Sequence, residues 1–178
     1  MVKENYDLLS LAFSYPEEGL LQMIKAGVFD EVFGKNAPIP NNLEELEVEY
    51  CRLFVGPGPV EVPPYESVYR NSELNMQKGL VMNNIVFDIE KKYRKAGLRI
   101  NQEFTDMPDH IAVETLFVAY LEAMNKAHPG GDFMQQKKRF LKNHLGSWGL
   151  FFANEVIKKG YHPWYIYIAE ILAETLRT

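Results

Sequence analysis

The sequence predicts an all-α protein, one domain over 1–178, arranged as a helical bundle of about seven to nine helices with a long proline-rich loop. Three observations lead there. Apolar residues recur at spacings of three and four in segment after segment, which marks one buried helical face. Glycines and prolines stand where those segments stop. Strand-like alternation of apolar and polar residues is nearly absent, although Tyr165-Ile166-Tyr167-Ile168 is β-branched and aromatic enough to leave a strand open.

The first helix is read over 3–14, with Tyr6, Leu9 and Phe13 on one face, and Tyr15-Pro16 ends it. Glu17 and Glu18 open a second, carrying Leu20, Leu21, Ile24 and Val28; Gly27 is a candidate break and Gly34 marks the far end. After the loop 36–42, Asn41 or Asn42 caps a helix bearing Leu43, Leu46, Tyr50, Leu53 and Phe54. Gly56 stops it, because glycine reaches positive φ without a Cβ clash, and Pro57 cannot continue it.

Some ten residues follow that suit neither a helix nor a central strand. Pro57, Pro59, Pro63 and Pro64 fix φ and remove four N–H donors. Such a loop is stiff, and ordered loops of this length are usually functional. Val60, Val62, Tyr65, Val68 and Tyr69 give it apolar side chains with which to pack, so a rigid connector and a binding role are both open.

Residues 72–96 read as a long helix ending in cations and Gly97. Residues 108–127 form the most apolar helix, with Ile111, Val113, Leu116, Phe117, Val118, Leu121 and Met124, and belong at the centre of the domain. Asp132 caps a helix to about Asn143, Ser147 caps the next, and Pro163 sits at the first turn of the last.

Composition narrows the function. A chain of 178 residues, 47% of them apolar, buries roughly 70% of its unfolded surface and is not disordered. A net charge of -5 disfavours generic nucleic-acid binding and favours a cationic partner. The single cysteine, Cys51, allows no internal disulfide and no cysteine metal site; it reads as a buried, inert thiol. No export signal and no membrane-spanning run is visible, so the expected location is the cytoplasm.

The candidate chemistry is sparse. Gly-Pro-Gly-Pro lacks the consecutive N–H groups of a phosphate cradle, and no P-loop lysine follows. Glu44, Glu45, Glu47 and Glu49 make either a solvated face or an acidic rim for a basic ligand. At the start of the central helix, Asp106 and Asp109 suit capping, and His110 has Glu114 one turn on, able to pair with it. Acid–base catalysis by Asp109 and His110 stays open, but no nucleophile elbow or metal-ligand set accompanies them.

Two stretches together resemble the TorD/DmsD/NarJ family, the chaperones that mature molybdenum-containing redox enzymes. The resemblance rests on Tyr50-x-x-Leu53-Phe54-x-Gly56-Pro57, then Pro64-Tyr65-Glu66-Ser67-Val68-Tyr69, then Pro108-Asp109-His110-Ile111 with Glu114. It implies an all-α, non-enzymatic chaperone that binds the twin-arginine leader of an oxidoreductase subunit until its cofactor is inserted. The partners it implies are that leader and the molybdopterin catalytic subunit, with no nucleic acid and no membrane insertion. The peptide-binding residues carried over are Leu53, Phe54, Pro64, Tyr65, Glu66, Pro108, Asp109, His110 and Glu114. No cofactor or metal of its own is expected. The resemblance allows guanine nucleotide, and either a monomer or a domain-swapped homodimer. It also departs from the family at Met107, where an acidic residue is common; Glu66 or Glu114 is then the substitute. A small hydrolase using Asp109 and His110, and a helical adaptor without leader specificity, are the other classes.

Overall fold

The computed structural model describes residues 5–58, 60–71, 80–98 and 107–177. Among these lie ten α-helices: α1 Tyr6–Phe13, α2 Glu18–Lys25, α3 Val28–Phe33, α4 Leu43–Tyr50, α5 Glu66–Asn71, α6 Leu80–Lys95, α7 Ile111–Ala127, α8 Phe133–Asn143, α9 Leu145–Lys159 and α10 Pro163–Thr175. A π-helical turn, Cys51–Val55, continues α4. No strand occurs among the described residues, so the all-helical reading stands. The count passes the expected range through short helices. Gly27, at φ 75°, separates α3 from α2, and α5 occupies a stretch the sequence gives to the loop.

The chain divides into two compact units, 1–64 with 149–178, and 65–148. In the first, aromatic rings fill the core. Phe13 and Phe54 each pack on Phe152, at 5.4 and 5.8 Å between centroids, and Phe29 meets Trp164 edge-on at 4.8 Å. Such contacts add about 0.5–1.5 kcal/mol each beyond the area they bury. The segment open to a strand reading is helical: Tyr165 and Ile168 lie in α10 and are fully buried. Pro163 begins α10, where its missing N–H is no loss, and His162 caps it through Nδ1, which accepts from the Trp164 amide.

Gly56 ends the π-helical turn at φ 105°, and its amide donates to Cys51 O at 2.7 Å. The loop beyond packs down: Val62 is buried and its amide donates to Leu53 O at 2.8 Å, while Lys159 donates to Glu61 O at 2.7 Å. Cys51 is half-buried rather than buried, because the π turn leaves its face of the helix partly open.

In the second unit, α7 packs on α8 through Phe117 and Phe140, 4.8 Å apart, with Tyr93 of α6 4.5 Å from Phe117. Three expected caps differ. The cap of α7 is His110, whose Nδ1 accepts from the Ala112 amide; Asp106 lies outside the described residues, as does 72–79 of the expected long helix. The Asp132 carboxylate accepts from the Gln136 side chain instead of a backbone amide. Ser147 is already inside α9 and donates back to His144 O.

Candidate functional site

Of the nine expected peptide-binding residues, Leu53, Phe54 and Pro64 lie in the first unit. Leu53 and Phe54 sit on the π-helical turn, buried with 0% and 4% exposure. Pro64 is buried too.

The other six meet within the second unit. Tyr65 and His110 form an isolated antiparallel bridge, and their rings meet edge-on with centroids 5.3 Å apart. The Glu66 amide donates to Asp109 O at 3.0 Å, and the Ser67 amide donates to Asp109 Oδ2 at 3.0 Å. Asp109 therefore caps α5, not the helix it precedes. An N-terminal amide of a helix has no partner in its own helix, and a carboxylate is its best acceptor. Tyr93 donates its hydroxyl to Pro108 O at 2.8 Å, which fixes the turn from the other side.

Glu66, Asp109, His110 and Glu114 are buried, with 0%, 1%, 2% and 0% exposure. Glu66 is held by one cation and a ring nitrogen: Arg70 Nη1 donates to Oε1, and His144 Nδ1 lies 3.1 Å from Oε2. His144 Nε2 in turn lies 3.2 Å from Asp88 Oδ2. Glu114 Oε2 accepts from Trp148 Nε1 at 3.2 Å. Burial pushes the Glu114 carboxyl well up, and the neighbouring Glu66 and Asp109 push it further. The raised carboxyl favours the protonated form of Glu114 beside the Glu66 carboxylate. Met107, where the family resemblance implies an acid, is 47% exposed.

The same network includes Arg70, His144 and Trp148, which the sequence reading missed. Arg70 was findable, since it follows Glu66 by four on one helical face. His144 and Trp148 were not, because only folding brings α9 and its preceding turn to residues far back in the chain. Among the described residues no group of three or more His, Cys, Asp or Glu is arranged to hold a metal.

The sequence model of the nitrate reductase delta subunit family matches residues 12–154. The chain belongs to that family. It is 26% identical over 150 residues to the chlorate reductase assembly chaperone protein of Ideonella dechloratans, covering 80% of this chain and 70% of that one. It is 26% identical over 133 residues to the chaperone protein TorD of Vibrio parahaemolyticus, covering 72% and 59%. The chain thus spans less than two thirds of that TorD. A solved structure described as a redox enzyme maturation protein from Archaeoglobus fulgidus superposes with a TM-score of 0.64 at 28% identity, over 97% of this chain and 92% of that one. Family membership agrees with what the three sequence stretches imply.

Proposed function

We propose that this protein is a maturation chaperone for a molybdenum-cofactor oxidoreductase. It binds the twin-arginine leader of the catalytic subunit, holds that subunit for cofactor insertion and assembly, and releases it for export. The observation that carries the reading is the family match over most of the chain, with relatives named as assembly chaperones. The chemistry of the motif region agrees. Asp109 and His110 both turn a side-chain acceptor to a backbone amide, an arrangement that suits holding the motif in shape. Among the described residues no helix is long and apolar enough to cross a membrane.

In this reading the buried residues Glu66, Asp109, His110 and Glu114 hold the motif in shape. The half-buried Tyr65 and the exposed Val68 and Met107 beside them present apolar surface to the leader. The experiment is co-expression with a leader-bearing catalytic subunit of a molybdenum oxidoreductase, with and without that subunit's leader. The leader-bearing subunit should co-purify with the chain and gain molybdenum in its presence. Equal molybdenum content with and without the chain contradicts the reading.

A further inference from the structure

Charge is unevenly spread between the two units. The first carries 7 lysines and arginines against 14 aspartates and glutamates, and the second carries 12 against 10, so cations gather in the second. Most of them stand on the last turns of α6 and along α8. Between these helices lies a half-enclosed cavity of about 100 Å³. Lys92 and Lys95 line it from α6, Gln136 and Arg139 from α8, and Phe117 and Phe140 complete the lining. Each polar pair is spaced i, i+3, which puts both members on one helical face. The two phenylalanines are buried, and their rings meet edge-on at 4.8 Å. They give the cavity an apolar wall, beside which charge acts more strongly than in open solvent.

The positive charge around this cavity is not balanced from within. Among the described residues no aspartate or glutamate lines it. Lys92 donates to Asp88 at 3.0 Å and Gln136 to Asp132 at 2.6 Å, so these two side chains already have carboxylate partners. The helix neighbours Arg94 and Lys137 are paired too, with Glu90 and Glu122. Lys95 and Arg139 make no hydrogen bond or ion pair among the described residues. Cations that face one another across a narrow cleft repel, and an anion placed between them turns that repulsion into attraction.

We propose that this cleft binds a small tetrahedral oxyanion of the phosphate class. Its volume sets the size of the occupant: it is well under the roughly 300–1,000 Å³ of clefts that take drug-sized ligands, and it suits one anionic group. Arg139 supplies a planar fork that bonds two oxygens at once, and Lys95 and Lys92 supply point charges. A carboxylate brings two oxygens and a single charge, so three cations match a phosphate dianion better. Free phosphate and a phosphate monoester offer the same chemistry, and the test separates them. The inference stands apart from the proposed function and does not rest on it.

The test titrates the full chain with inorganic phosphate and, separately, with glycerol phosphate, in chloride at constant ionic strength, and follows the phosphorus NMR signal. Lys95→Gln with Arg139→Gln should weaken binding by about tenfold or more. Lys138→Gln with Lys142→Gln removes the same charge from exposed positions of α8 outside the cavity, and should weaken it by about twofold or less. All four side chains are exposed, so both double variants should keep the wild-type denaturation midpoint in chloride. The ligand should raise that midpoint in wild type and not in the cavity variant. Tighter binding of phosphate supports the site with the free ion as occupant, and tighter binding of the ester supports it with a phosphoryl group on a larger molecule. Equal weakening in the two double variants would show a general attraction between charges and overturn the site. No binding of either compound to wild type, or wild-type affinity in the cavity variant, would overturn it as well.

Discussion

Asp109 holds the first turn of α5 from a distant point in the sequence: its Oδ2 accepts the Ser67 amide at 3.0 Å. The aspartate of the Pro-Asp-His group is thereby a remote helix cap, and both it and its partner amide are shielded from water.

Replacing Asp109 with alanine leaves a buried N–H without an acceptor, which costs about 1–3 kcal/mol. Asp109→Asn should lose less, because the amide oxygen still accepts. Urea unfolding of both variants checks the order. Equal loss in both would mean that the charge, not the acceptor, holds α5.

The raised Glu114 carboxyl predicts a loss of stability toward alkaline pH. The folded chain binds this proton more tightly than the unfolded chain does, so the stabilisation is complete below the ordinary carboxyl range. It is lost as pH rises from there through the raised folded value. Glu114→Gln can keep the acceptor for Trp148 and offers a permanent donor to Glu66. Its melting temperature should therefore fall less than that of wild type as pH rises above the ordinary carboxyl range. Parallel pH profiles for the two proteins would contradict the raised Glu114 carboxyl.

Glu49 predicts the opposite sign. Burial pushes its carboxyl up, but the Arg52 fork and the Tyr161 and His162 amides outweigh this and hold it below the usual range. Its stabilisation is present above the unfolded carboxyl range and is lost as pH falls through the folded value. Arg52→Ala should cost about 1–3 kcal/mol at neutral pH, since it leaves a buried carboxylate short of donors. The deficit should shrink in acid, as measured by denaturation at a series of pH values. A deficit independent of pH would assign the effect to lost packing on Tyr161.

The helical class was legible because Leu46, Leu53, Ile111, Leu121, Ile168 and Leu172 keep helical spacing and are all fully buried. Gly27, Gly34, Gly56 and Gly97 were legible as stops, and each has positive φ. The short α5 was not, because six residues after a proline run carry too little periodicity to outweigh the loop signal. Nor were the histidine caps. His110 and His162 both accept an amide through Nδ1, a role that serine, threonine, asparagine and aspartate usually fill. For the site, the three family stretches were readable as motifs. That Asp109 points to Ser67, and Glu114 to Trp148, depends on long-range packing that no local pattern records.

The most direct test of leader recognition is calorimetric titration of the purified chain with the Arg-Arg leader peptide and with the same peptide carrying two alanines in place of the arginines. The account predicts that the arginine peptide binds, that the alanine peptide binds about tenfold or more weakly, and that added salt narrows the gap. Equal affinity for the two peptides, or no binding of either, would contradict it.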